Sequence, residues 1–119
     1  MESHLIEELD NKAISISFDE RGSVLDFGCF SLEGLHVVAM QPGAVRGNHI
    51  HDEDEIICVV SGNGICEIIA EDEVSGKRER ISVSKDMVSY KIMAGAKHIV
   101  RNTGEDTFYL VCFMVSQDS

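Results

Sequence analysis

Residues 43–62 read GAVRGNHIHDEDEIICVVSG, a stretch in which two histidines and four consecutive acids precede an apolar run that ends at a glycine. His49 and His51 are two residues apart, so on a β-strand both side chains would point to the same face. Their Cα atoms would then lie roughly 6.5–7 Å apart, a span that two imidazoles can close onto one ion at ~2.1 Å each. The pattern therefore indicates a metal site on the face of a strand.

The next ligand is expected among the four acids that follow the second histidine. Spacing alone does not choose among Asp52, Glu53, Asp54 and Glu55. The first three are predicted to form an exposed turn, whereas Glu55 opens the next apolar strand. Because a strand end positions a ligand better than a mobile turn does, this prediction favours Glu55.

The spacing also carries a family resemblance. One segment resembles the first motif of the cupin superfamily. In order, it has Gly43, five residues, His49, one residue, His51, three residues, Glu55, six residues and Gly62. The second half of the second cupin motif has its counterpart in residues 95–98, which read GAKH, and in the asparagine four residues later. A methionine stands at position 93, where cupins usually have proline. The resemblance is to the small, single-domain members of the superfamily.

The cupin resemblance implies an all-β fold, the cupin double-stranded β-helix or jelly-roll barrel. It implies that one divalent transition metal ion lies inside the barrel on His49, His51, Glu55 and His98. Fe, Mn, Ni, Co, Zn and Cu all suit three imidazoles and a carboxylate, so the identity of the metal stays open. The resemblance also assigns Gly43, Gly62 and Gly95 to turns where a Cβ would clash. It assigns Asn102 to a turn that its side chain holds by hydrogen bonds.

Short β-branched runs separated by turn residues make up the rest of the sequence. Helical preference is confined to residues 5–9. We predict ten strands, at residues 13–17, 24–31, 35–41, 45–51, 55–60, 64–71, 78–84, 88–93, 98–101 and 107–115. This pattern is typical of an antiparallel sandwich or barrel. We predict one cupin domain over residues 1–119, with its core at 24–115 and an N-terminal arm at 1–12.

Composition excludes several classes of partner. Ten Lys and Arg stand against 21 Asp and Glu, for a net charge of −11, and such a surface repels nucleic acid and anionic membranes. No apolar run approaches the ~20 residues of a membrane helix, and the acidic N-terminus does not resemble a secretory signal. We therefore expect a cytoplasmic protein that binds a small-molecule ligand. The four cysteines form no CxxC pair and are predicted to be buried, reduced thiols.

The resemblance implies a metal-dependent enzyme, an oxidoreductase such as a dioxygenase, an isomerase or a lyase, acting on a small oxygen-rich metabolite. An alternative follows from residues 46–51, because RGNHIH resembles the RGNHxH stretch of cupins that act on sugar nucleotides, the ketoisomerases and epimerases. In those families a histidine of the pair His49 and His51 would serve as general base next to a keto group. A second alternative is a non-catalytic module that binds or senses a small molecule.

Two further residues are candidates for catalysis. Tyr90 could donate a proton, and Arg46 could face a substrate. Arg46 lies three residues before His49, so the two side chains would point to opposite faces unless the strand bulges at Gly47. His36 is interpreted as an exposed or hydrogen-bonded residue at a strand start. Because small cupins commonly pair edge strands and pack their sheets together, we also expect a homodimer.

Overall fold

The computed structural model describes residues 4–9, 15–26, 32–60, 65–84 and 88–115. In these ranges the chain forms eleven β-strands: β1 (Ile6–Glu8), β2 (Ser15–Asp19), β3 (Gly22–Asp26), β4 (Leu32–Met40), β5 (Val45–His49), β6 (Asp54–Val60), β7 (Cys66–Glu71), β8 (Arg78–Val83), β9 (Val88–Ile92), β10 (Lys97–Asn102) and β11 (Phe108–Val115). A helix long and apolar enough to cross a membrane does not occur in this part of the chain.

The strands pair into two larger antiparallel sheets and a hairpin. The five-stranded sheet has the order β1-β9-β6-β11-β4, and the four-stranded sheet has the order β5-β10-β7-β8. The strands β2 and β3 pair with each other. The predicted all-β antiparallel architecture is therefore confirmed.

The main hydrophobic core fills the space between the two sheets, and strand alternation decides which residues reach it. On β6, Ile57 and Val59 belong to this core, whereas Ile56 and Cys58 belong to a second buried cluster with Phe113. Both faces of the central strands β6 and β11 are thus apolar. This arrangement explains why their sequences are hydrophobic on consecutive residues instead of alternating.

The predicted helical preference of residues 5–9 is wrong. Residues 6–8 form β1, which pairs antiparallel with β9 so that Ile6 lies opposite Ile92. Leu5 and Ile6 are both buried. A five-residue segment is far below the ~12–15 residues that an isolated helix needs, so pairing at the sheet edge and burial decide its conformation.

The turn residues of the cupin motifs are placed as expected, but for a different reason in the case of the glycines. Gly43 and Gly95 have φ of 83° and 85°, and a Cβ at either position would meet no atom within 4 Å. Glycine is favoured at both positions because the backbone there is left-handed, not because a Cβ would clash with a neighbour. Gly62 lies outside the described residues.

The predicted role of Asn102 is confirmed. Its Nδ2 donates to the carbonyl oxygens of Met40 and Asp106 at 2.9 Å each, and its Oδ1 accepts from the Gly104 N–H at 2.9 Å. The side chain is 2% exposed, so it closes the turn between β10 and β11 from the inside.

Candidate functional site

A cavity of about 460 Å³ lies between the two sheets. Each of five strands contributes one polar or ionisable side chain to its lining: His36 from β4, Arg46 from β5, Glu55 from β6, His98 from β10 and Cys112 from β11. The rest of the lining is mostly aliphatic. A concave, largely apolar space with a few converging polar groups is the usual form of a small-molecule site.

Glu55 is the buried carboxylate of this cavity. It is only 4% exposed because alternation on β6 points it to the same interior face as Ile57. Its Oε1 lies 2.7 Å from His98 Nε2 and 4.0 Å from His51 Nε2. A carboxylate in an apolar interior needs a cationic or hydrogen-bonding partner. Glu55 Oε1 accepts no hydrogen bond in the described part of the chain, and it lies within ion-pair distance of both imidazoles.

The acids before Glu55 do not all form the exposed turn that the sequence predicts. Asp52 is exposed, but Asp54 is 8% exposed and already belongs to β6. Its Oδ1 accepts a hydrogen bond from the Ala94 N–H at 2.8 Å, which ties the start of β6 to the turn before β10. Asp54 therefore anchors the strand on which Glu55 is presented.

The two histidines of the first motif do not lie on one strand. The strand β5 ends at His49 and does not continue to His51 as predicted. Gly47 and Asn48 have φ of 110° and 71°, which breaks the two-residue alternation on which the same-face prediction rests. The backbone of His49 pairs opposite His98, and its side chain lies outside what the structure describes.

His51 nevertheless reaches the cluster from the loop. Its carbonyl oxygen accepts the Gly95 N–H at 2.9 Å, and its ring centroid lies 6.0 Å from that of His98. Of the four predicted metal ligands, the structure thus brings together Glu55, His51 and His98. Two imidazole nitrogens and a carboxylate oxygen are donors that suit a divalent transition metal, so the described part of the set fits such an ion.

Arg46 lines the cavity because β5 is irregular at Gly47. The register of β5 against β10 shifts between His98 and Ile99, opposite the Gly47–His49 segment. A Cβ on Gly47 would lie 2.6 Å from the His98 carbonyl oxygen. A bulge at Gly47 is therefore present, and glycine is required there because the backbone of β10 lies so close.

Tyr90 packs in the hydrophobic core on β9, opposite Ile57, and is 6% exposed. Burial, followed by the negative charge of Glu8, raises the pKa of its hydroxyl to about 12. The group stays protonated at neutral pH and lies beside the cavity lining, not within it. Its assignment as a proton donor stays a prediction, whereas packing accounts for the position that the structure gives it.

Two residues of the cavity, His36 and Cys112, were not among the predicted site residues. Both were interpreted as structural, His36 as exposed or hydrogen-bonded and Cys112 as a buried thiol. Those descriptions hold: His36 is exposed with Nδ1 2.8 Å from the Gly34 carbonyl oxygen, and Cys112 is a buried free cysteine. Burial, followed by the charge of Glu55, raises the pKa of the Cys112 thiol to about 12. Only the pairing of β4 with β11 brings these two residues together, and a single sequence does not reveal which strands pair.

Comparison with known protein families gives one match. Residues 17–118 match the family described as "Polysaccharide biosynthesis C-terminal domain". No curated protein matches the chain significantly.

Solved structures with the same fold come from proteins of sugar and capsule chemistry. CapF crystallised with the inhibitor 3-isopropenyl-tropolone is 23% identical over 89% of this chain, with a TM-score of 0.62. The capsular polysaccharide assembling protein CapF from Staphylococcus aureus is 25% identical over 87% of this chain, with a TM-score of 0.61. The chain spans only 31% and 29% of the length of these two proteins.

A third solved structure matches this chain over most of its own length. A double mutant of the QdtA 3,4-ketoisomerase from Thermoanaerobacterium thermosaccharolyticum, in complex with TDP, is 14% identical. It has a TM-score of 0.70, and the match covers 98% of this chain and 83% of that one. The shared architecture confirms the predicted cupin jelly-roll fold.

Proposed function

The chain belongs to the family of polysaccharide biosynthesis C-terminal domains, and on that premise we propose that it acts on a nucleotide-linked keto-sugar as an epimerase or ketoisomerase. The observation that carries the proposal is the cavity that joins Arg46, Glu55 and His98. Its volume of about 460 Å³ is within the ~300–1,000 Å³ typical of small-ligand sites. The hexapeptide at residues 46–51 and the ketoisomerase neighbours support the same class of substrate.

Both reactions begin with removal of a proton from the carbon next to a keto group. A base within hydrogen-bond reach must take this proton, and a donor or cation must stabilise the enolate that results. Among the cavity-lining residues that the structure describes, Glu55, His98 and His36 carry groups that can accept a proton, and the 2.7 Å contact between Glu55 and His98 lets one orient the other. The base role of His49 or His51 that the resemblance implies stays a prediction.

Arg46 would bind the anionic part of the substrate. The guanidinium is exposed at the cavity and forms no ion pair with a residue in the described part of the chain. A phosphate group is a bidentate partner for a guanidinium, and this contact would hold the nucleotide end at the cavity mouth while the sugar enters. We expect Arg46→Ala to raise KM for a sugar nucleotide more than it lowers kcat.

The metal site predicted from the cupin motif belongs to the same proposal. His49, His51, Glu55 and His98 would hold the ion, and the described donors fit it. Bound there, a divalent ion would supply Lewis-acid stabilisation at the keto oxygen. Glu55 and His98 would then serve as ligands of the ion. If the protein works without metal, the same two residues provide the proton-transfer pair.

Deuterium exchange tests the proposal directly. The full chain is incubated in D₂O with a dTDP-linked or UDP-linked 4-keto sugar, and NMR follows deuterium at the carbon next to the keto group. We expect exchange with wild type and a loss of at least about 100-fold for Glu55→Gln, since a positioned acid–base group contributes about 10²–10⁴-fold. Glu105→Gln, a change at an exposed turn residue, is the control and should exchange as wild type does. If wild type shows no exchange, the proposed enzymatic function is wrong, and the non-catalytic binding module becomes the preferred interpretation.

We also propose that the protein is a cytoplasmic homodimer. Three described cysteines are free thiols, which persist in reducing compartments. On the outer face of the five-stranded sheet, Leu35, Val37 and Tyr109 are 55%, 65% and 43% exposed. Apolar side chains this exposed on one face of a sheet would be covered by a second subunit.

A further inference from the structure

Three potential metal donors come together in the cavity on strands of the five-stranded sheet. Cys112 on β11 pairs directly opposite His36 on β4, so their Cβ atoms lie about 4.5–5.5 Å apart on one face. On the other side of β11, Cys112 pairs with Ile57 of β6. Glu55 is two residues from Ile57 and therefore lies diagonally opposite Cys112 on the same interior face.

The resulting geometry is close to that of a bound ion. One donor atom each from His36, Glu55 and Cys112 lies within 4.8 Å of the other two. Donors that share one tetrahedral ion at ~2.0–2.3 Å are roughly 3.4–3.8 Å apart, so contraction by about 1 Å would complete the site. All three side chains project from strands, which restricts the movement that binding needs.

One ring nitrogen of His36 is held by a backbone contact. Its Nδ1 lies 2.8 Å from the Gly34 carbonyl oxygen, and because a carbonyl only accepts, Nδ1 carries the proton. The lone pair is then on Nε2. A backbone carbonyl that fixes the tautomer in this way is the usual outer partner of a metal-binding histidine. The β4–β11 register shifts between Cys112 and Met114, and such a bulge re-aims the neighbouring side chains.

We propose that His36, Glu55 and Cys112 form a second cation site, selective for thiophilic divalent ions such as Zn(II), Cd(II) or Co(II). The thiol distinguishes this site from the three-histidine and carboxylate set of the cupin motif, because thiolate sulfur favours softer ions. Glu55 has two oxygens and is common to both sets. On binding, the Cys112 S–H bond breaks, the sulfur keeps the electron pair for the metal, and the proton goes to solvent. This inference goes beyond the proposed sugar-nucleotide chemistry.

Titration with Co(II) tests the site, because a thiolate bound to Co(II) gives a near-ultraviolet charge-transfer band that nitrogen and oxygen ligands do not give. The full chain is titrated under a reductant that does not bind metal. We expect the band in wild type, its loss in Cys112→Ser, and its retention in Cys58→Ser. The second variant is the matched control, since Cys58 lies on β6 in the buried cluster on the other face of the same sheet.

A ligand change at the exposed end of the site provides a second measurement that does not disturb the core. His36→Ala should raise the Co(II) concentration at half-saturation of the band by at least about tenfold, as losses of metal-site partners do. Circular dichroism verifies that each variant is folded. Absence of the band in wild type, or its survival in folded Cys112→Ser, overturns the proposal. The deuterium exchange reaction is measured separately, so either proposal can fail alone.

Discussion

Replacement of Gly47 by alanine tests how the cavity is built. Two features of the site make this position intolerant: φ is 110°, and a Cβ would lie 2.6 Å from the His98 carbonyl oxygen and 3.2 Å from the Ile99 Cα. Both neighbours are backbone atoms of β10, so no side-chain rotation relieves the contact. The strand β5 must move away from β10, and the backbone of His98 moves with it.

The expected cost has two parts. A non-glycine residue in this sparsely populated backbone region costs roughly 1–3 kcal/mol, and overpacking against a fixed neighbour costs about as much again. We therefore expect Gly47→Ala to lower the free energy of unfolding by about 4 kcal/mol. Gly76→Ala is the matched control, because Gly76 also has a positive φ, 78°, but a Cβ there would meet nothing within 4 Å. It should cost only about 1–2 kcal/mol.

Urea unfolding followed by circular dichroism measures both variants, and the difference between them isolates the close approach of the two strands. The same samples are assayed for deuterium exchange under conditions in which both are folded. Gly47→Ala should lose activity because His98 is displaced, whereas Gly76→Ala should keep it. If the two variants unfold within about 0.5 kcal/mol of each other, the backbone contact does not hold the site and the reasoning is wrong.

Four other outcomes are expected. Asn102→Ala should lower the free energy of unfolding by about 3 kcal/mol in urea titrations, at roughly 1 kcal/mol for each of its three hydrogen bonds. Burial raises the pKa of the three described thiols from 9.0 to about 11 or 12. The contribution of these protonated thiols to the free energy of unfolding is therefore complete below pH 9, and it is lost as the pH rises through their pKa values in the folded protein. Cys66→Ala should reduce that alkaline slope by about 1.4 kcal/mol per pH unit, and an unchanged slope would contradict the assignment. Elemental analysis of protein purified without an affinity tag or chelator should find near-stoichiometric divalent metal that His49→Ala loses; metal retained by this variant would remove His49 from the ligand set. Light scattering at micromolar concentration should give a dimer for wild type and a monomer for Val37→Lys, and a monomeric wild type would refute the dimer.

Much of the fold could be predicted from the sequence because turn chemistry and hydrophobic pattern act locally. The apolar run after Glu55 was predicted to form a strand, and it forms β6. Asn102 had to close a turn, and its three hydrogen bonds do so. The N-terminal residues 5–9 were predicted wrongly because their strand conformation depends on pairing with β9, which lies more than 80 residues along the chain.

The site was less predictable because it depends on which strands become neighbours. The position of Glu55 at the start of a strand favoured it as a ligand, but the sequence pattern could not reveal that Cys112 would lie opposite His36. It also assumed a regular strand from Val45 to His51, whereas the positive φ of Gly47 and Asn48 ends that strand early. An asparagine tolerates the left-handed region better than most residues, so its position beside a glycine was the one local sign of this irregularity.

A protein of net charge −11 must still attract an anionic sugar nucleotide if the proposed function is right. The distribution of charge resolves this difficulty, because exposed charges are screened over about 8 Å at physiological ionic strength. Arg46 lies at the cavity itself, whereas acids such as Glu67 and Glu73 are within ion-pair distance of Arg80 and Lys97 on other strands and turns. The one buried carboxylate of the cavity, among the residues described, is Glu55, and its Oε1 lies 2.7 Å from His98 Nε2. Arg46 is the Lys or Arg residue in the described lining of the cavity, so it would supply the local attraction for an anionic ligand. Added salt should accordingly weaken substrate binding by wild type and have little effect on Arg46→Ala, whereas equal salt dependence of the two would mean that the nucleotide binds elsewhere.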